Sequence, residues 1–266
     1  MTEKQPPDDP LEIFARSLLS LYNGPLVTIQ IGNGREYRIS RPLICGASYY
    51  FQGMLFEGAF QEAKEQSAVL EPIERVLSEQ NFELLIKYLY LGQVKLPKTG
   101  SPTTDISTAI QFARLADMYQ VDGLQEFVAK KIRKIIMTNP GPTTSSTYSN
   151  TYWITYQHIA SAANLPRNHS VRSVLANALV EGYLTLKEFK FYNEIRNIPS
   201  FSTDILEAVT KVIKKTSSDK IERFKLGDPI TKRELYLGRT QVQKALVAGR
   251  QEKFNIQTTV SSFESL

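Results

Sequence analysis

What the 266-residue sequence lacks sets its first limits. It has one cysteine, Cys45, so the chain can build neither a disulfide framework nor a thiolate metal cluster, and a reducing compartment, cytosol or nucleus, is expected. The lone thiol reads as a small core hydrophobe. The only two histidines, His158 and His169, sit in no recognisable nucleophile motif, and with one thiol they cannot supply four zinc ligands. No catalytic, cofactor-binding or metal-binding residue is therefore assigned, no cofactor is implied, and no enzymatic activity is expected. No uninterrupted apolar run approaches the roughly 20 residues that a membrane span needs. The opening MTEKQPPDDP has no apolar signal region either, so a soluble intracellular protein is expected.

What is present is ordinary for a globular chain, with 42% hydrophobic and 22% charged residues. The net charge of +5 is uneven, because residues 211–266 hold twelve Lys and Arg against six Asp and Glu. Lys211, Lys214, Lys215, Lys220, Arg223, Lys225, Lys232 and Arg233 could lie along phosphates. Asp219, Glu222, Asp228 and Glu234 dilute them, and only Phe224 and Tyr236 are interleaved aromatics, so a solvated tail is the better reading than a nucleic-acid site.

Hydrophobic periodicity orders the elements. Asp9-Pro10 reads as a helix start, with Leu11, Phe14, Leu18 and Leu19 on one stripe that runs to Tyr22. Val27, Ile29 and Ile31 alternate up to Gly32-Asn33-Gly34, and Tyr37 and Ile39 alternate after it, which predicts a β-hairpin. The glycines there serve turn geometry, so no phosphate site is read into them. A buried helix is expected over 42–55, a strand over 67–71, and a helix capped by Ser78 and stopped by Gly92. Val94 and Leu96 suggest a brief strand, and Asp105 and Asp122 read as starts of two closely packed helices.

Residues 138–150, with Pro140 and Pro142, look like a linker, and helical patterns resume beyond it. Among them, Val171, Leu175 and Leu179 share a stripe, Thr185 and Glu188 have capping-box spacing, and Ser202 reads as a cap. Thr231 and Glu234 could open one more helix before a final segment that reads as disordered.

Hairpin, helix, strand, helix, strand, helix, helix is the order of the BTB/POZ domain family. VTIQIGNGREYRI (27–39) resembles the family's opening hairpin, and SYYFQGMLFEGAFQEAKE (48–65) resembles its Ser-x-x-Phe helix with the following loop. FELLIKYLYLGQV (82–94) resembles its helix ending in Tyr-x-Gly, and ARLADMYQVDGLQEF (113–127) its Ala-Asp-x-Tyr helix and turn. The style resembles fungal BTB-domain proteins with a helical C-terminal extension. An α+β fold is implied, a small sheet with clustered helices, followed by an all-α region. The expected division is a tail and amphipathic helix (1–25), a BTB/POZ domain (26–137), the linker (138–150), C-terminal helices (151–215) and a basic, partly disordered tail (216–266).

The resemblance implies protein partners. In BTB adaptors of cullin-type ubiquitin ligases, an apolar-x-Glu element after the Ser-x-x-Phe helix inserts its apolar side chain into the cullin, and Phe60-Gln61-Glu62 matches it in place. The alternative is that Phe60 covers the end of its own domain. In dimeric family members a helix before the first strand packs on the other subunit, which makes Leu11, Phe14, Leu18 and Leu19 the candidate dimer helix; the alternative is that it folds back onto its own domain or onto the C-terminal helices. Two departures, Pro25-Leu26 in place of an Asp and Ser40 in place of a His, put the family's charged co-repressor pocket in doubt. The other reading is a nuclear, transcription-linked scaffold that dimerises through this domain and keeps its basic tail near chromatin.

Overall fold

The computed structural model describes residues 19–56, 60–141, 150–185, 189–214, 223–232 and 234–238. They fall into two compact units, one of the residues up to Pro97 with Gln111–Gln125, the other of Lys98–Ile110 with those from Glu126 onward.

The first unit begins with a single helical turn, α1 (Leu19–Tyr22), the described end of the predicted amphipathic helix; Leu11, Phe14 and Leu18 lie outside the described residues. Strand β1 (Leu26–Ile31) pairs antiparallel with β2 (Glu36–Ser40) and parallel with β3 (Ser67–Leu70), giving the order β2-β1-β3. Every second residue of β1 turns inward, and Val27, Ile29 and Ile31 are buried. The connection between β1 and β2 turns at Gly32, where φ is 52°.

The helix expected over 42–55 is two helices, α2 (Arg41–Ala47) and α3 (Tyr49–Phe56), broken at Ser48. The Ser48 hydroxyl donates to the Tyr119 carbonyl and accepts from the Phe51 N–H at 3.2 Å, and Ser48 forms a bridge with Val121. That long-range pairing holds the backbone extended at Ser48 and interrupts the helix. A short helix, α4 (Gln61–Glu65), leads into β3.

Next comes α5 (Glu79–Leu91), whose ends are the predicted ones. Ser78 accepts from the Asn81 N–H, and Gly92 adopts a left-handed φ of 63° with its N–H on the Tyr88 carbonyl. Phe82, Leu85, Phe51, Leu55 and Ile29 fill the core with almost no exposure. Val94 and Leu96 are buried but form no strand; they fill the core from a segment without a ladder.

Helices α6 (Pro102–Met118) and α7 (Leu124–Thr138) each contribute to both units. The first starts at Pro102, three residues before the predicted Asp105, which instead accepts the Thr99 N–H at 2.8 Å. In the second unit follow α8 (Tyr156–Ala162), α9 (Ser170–Thr185), α10 (Tyr192–Arg196) and α11 (Pro199–Lys214). Ser202 is not the cap of α11 but lies inside it, its hydroxyl donating to the Ile195 carbonyl at 2.9 Å. Glu188 of the expected capping box is outside the described residues.

Instead of a helix at Thr231 and Glu234, the chain forms an antiparallel hairpin, β4 (Arg223–Gly227) with β5 (Glu234–Gly238). Asp228 makes the turn. Fully buried, it accepts from the Ile230 and Thr231 N–H groups, the Thr231 hydroxyl and the Asn150 amide, and the Arg133 guanidinium donates to the Pro229 and Ile230 carbonyls. An aspartate that satisfies its own following amides favours a turn over a helix start.

Candidate partner-binding surface

The Ser-x-x-Phe element works from the inside. Ser48 caps the Phe51 amide, Phe51 and Leu55 are buried, and Phe51 stacks on Tyr119 with centroids 4.9 Å apart. Burial pushes the Tyr119 phenol up from its ordinary range. Cys45 is buried beside this cluster, its thiol donating to the Phe51 carbonyl at 3.5 Å. Burial raises its pKa against the opposing influence of Arg41, so it is the inert core thiol the sequence suggested.

Phe60 is positioned differently. It is extended (φ −94°, ψ 155°) at the start of α4, a helix with no buried residue, and the residue is 55% exposed. Gln66 closes the turn in a left-handed conformation, φ 51°, with its N–H on the Glu62 carbonyl, and the Gln61 amide donates to Glu65 at 2.6 Å. Glu62, two residues on from Phe60, is half-buried. The segment is thus a one-turn platform against α3 and β3 that leaves an aromatic ring in solvent.

Phe60 is not alone. Tyr49 is 65% exposed, Phe56 61% and Tyr50 41%, so four aromatic rings face solvent within residues 49–60. Scattered exposed apolar residues mean little, but a cluster marks a contact surface. Sequence reasoning assigned no role to Tyr49 or Phe56. The signal was available, since both lie opposite Phe51 and Leu55 on a helix in which Gln52 is the one amide or charged side chain. Of the candidate dimer helix, Leu19 is described and is 42% exposed.

With this geometry in place, comparison with protein families matches residues 26–136 to the BTB/POZ domain. The chain carries a BTB/POZ domain. Its three-stranded sheet with surrounding helices, followed by a helical region, is the α+β architecture expected from the resemblance. Among curated proteins, the Kelch repeat and BTB domain-containing protein 4 of Pongo abelii, Mus musculus and Homo sapiens are each 29% identical over 110 residues. The match spans 41% of this chain and 18% of each relative's own length. A BTB/POZ domain is a protein-interaction module.

In the second unit both histidines are engaged in local packing and capping. His158 is buried in a capping box with Thr155, and the His169 ring accepts the Val171 N–H at 3.2 Å. Among the described residues no three His, Cys, Asp or Glu side chains form a group able to hold a metal. A small cleft between α9, α10 and α11 is lined by Phe189, Tyr192, Ile195, Arg196 and Ile205, with no histidine, cysteine or carboxylate in its lining.

The strongest polar feature was missed from sequence: Arg172, on α9, is buried and satisfied on all sides. Its guanidinium donates to Asp204 at 2.7 Å and to the carbonyls of Ala163, Leu165 and Ser200. It ties the end of α8 to the start of α11. No helix among the described residues is long and apolar enough to cross a membrane.

Proposed function

We propose that this chain is a non-enzymatic BTB adaptor in which Phe60 and Glu62 recruit a cullin-type ubiquitin-ligase scaffold. The exposed Phe60 ring carries the reading. An aromatic side chain that its own fold leaves more than half exposed, ringed by charge that keeps it soluble, gains further when a partner desolvates it, and such anchors supply a large share of interface energy. Glu62 would then add a charged contact two residues on, and the helices after residue 150 are free to hold a target for ubiquitination. The half-exposed Leu19 supports a second contact of the same module, a homodimer in which Leu11, Phe14, Leu18 and Leu19 cover a second copy.

The test is co-purification of a cullin from native extract by the tagged chain. Phe60→Ala is expected to reduce the cullin recovered by about tenfold or more, the scale of a ~1.4 kcal/mol anchor. Undiminished recovery with an intact fold rejects the assignment of Phe60.

A further inference from the structure

Helix α7 turns a cationic face to solvent. Its Val128, Ala129, Ile132, Ile135 and Ile136 are buried, and Lys130, Arg133, Lys134 and Met137, at i, i+3, i+4 and i+7, share the other side. Lys130 and Lys134 are exposed and Arg133 is half-buried. A solvated helix face ordinarily mixes both signs of charge. Here Lys130, Lys131, Arg133 and Lys134 stand against a single acidic residue of the helix, Glu126, whose carboxylate accepts the Ser170 hydroxyl.

The β4-β5 hairpin brings a further cation to this face. Arg133 donates to the Pro229 and Ile230 carbonyls at 3.4 and 3.2 Å, and the exposed Lys232 ammonium donates to the same Pro229 oxygen at 3.3 Å. A guanidinium and an ammonium thus converge on one uncharged acceptor, where they repel each other and an arriving anion relieves the repulsion. Lys232 holds this place from a left-handed backbone, φ 65°, which glycine or asparagine occupies at less cost. A strained position of this kind persists where the side chain it places is used. The acid of the turn, Asp228, is fully buried and held by its own following amides and by Asn150, which also donates to Glu181 at 3.1 Å. In the sequence around the hairpin, residues 215–222 carry two charges of each sign and residues 239–266 four Lys and Arg against two Glu, so the neighbouring chain adds positive charge rather than cancelling it.

We propose that Lys130, Arg133, Lys134 and Lys232 bind the phosphate backbone of a nucleic-acid duplex without reading its sequence. Protein interfaces are depleted in lysine and anchored on aromatic rings, whereas three of these four groups are lysines and the exposed apolar residue of the row is Met137. Lysine is a strongly hydrated point charge, suited to replacing counterions along phosphates. Single strands are held by bases stacked on aromatic side chains, and this row supplies charge without them, which suits a duplex contacted through its backbone. The inference uses none of the residues assigned to the cullin.

The test is fluorescence anisotropy of a labelled DNA duplex, and of the RNA duplex and the single strand of the same sequence, titrated with the full chain between about 50 and about 200 mM salt. With four phosphates neutralised, the slope of log affinity against log salt should be about −3.6, a fall in affinity of about a hundredfold over that range. Lys130→Gln together with Lys134→Gln keeps helix propensity and removes two charges. It should halve the slope to about −1.8 and shrink the fall to about tenfold, with the melting temperature unchanged. Lys87→Gln, an exposed position on α5 outside the row, should behave as wild type. Absence of duplex binding at the lowest salt, or a slope that the double variant leaves unchanged, overturns the inference. A single strand bound as tightly as the duplex overturns it too, as does preference for a polyglutamate peptide, which assigns the face to an acidic protein. A preference between the two duplexes identifies the nucleic acid with the inference standing.

Discussion

His158→Asn should change how stability depends on pH, by an amount that follows from the imidazole's surroundings. The ring is 1% exposed; its Nδ1 accepts the Thr155 N–H at 3.1 Å, and its Nε2 lies 2.8 Å from the Ser107 hydroxyl. Because Nδ1 is an acceptor, the single proton sits on Nε2, and a second proton would have to displace the Thr155 amide. Burial lowers the pKa from 6.5 to about 4, with a hydrogen bond from the ring to the Thr103 backbone opposing the shift and the Lys190 ammonium adding to it. Between those values the unfolded chain binds a proton that the folded chain does not. The contribution is therefore fully present above pH 6.5 and is lost as pH falls toward 4. At about 1.4 kcal/mol per pH unit, the drop amounts to about 3 kcal/mol.

Denaturant unfolding of wild type and variant from pH 7.5 to 4 should give a stability difference that shrinks by about that amount on acidification. Asp204, whose carboxyl is raised by burial, works in the opposite direction, but it is common to both proteins and cancels. Imidazole NMR supplies a direct reading, since with only two histidines the His158 signals should stay near their neutral positions down to about pH 5 and titrate with a midpoint of about 4. A stability difference independent of pH, together with a His158 titration near 6.5, would refute the reasoning.

Arg172→Met should lower stability by about 3–5 kcal/mol, read by calorimetry, because it leaves Asp204 buried without its cation and three carbonyls without a donor; a loss below 1 kcal/mol would contradict the proposed tie between α8 and α11. Ser78→Ala should cost about 1 kcal/mol in denaturant unfolding by freeing the Asn81 amide at the start of α5, and an unchanged midpoint would contradict the capping role.

The parts of the fold that were legible in the sequence are those fixed by near neighbours. The β1-β2 hairpin was written in the alternation of Val27, Ile29 and Ile31 about Gly32, and α5 in the pair Ser78 and Gly92, each of which meets a backbone group within four residues. What was illegible depended on distant partners. Ser48 breaks a continuous apolar run because its hydroxyl finds Tyr119, 71 residues on, and Asp228 makes a turn because its second oxygen is held by Asn150, 78 residues back. Arg172 drew no attention in the sequence, since its four acceptors come from two other helices' ends. Of the candidate site, the exposure of Phe60 follows from the charges around it, whereas the exposed rings of α3 needed the structure to say which side Phe51 and Leu55 occupy.

The central claim, that the BTB/POZ domain presents its α3–α4 side to a partner, is tested most directly by hydrogen exchange on the full chain with and without a purified cullin N-terminal domain. Slowed exchange of the amides from Phe60 to Gln66 and along Tyr49–Phe56 in the complex is the predicted result. A complex that forms while those amides exchange at their free rates, with protection confined to the helices after residue 150, would contradict it.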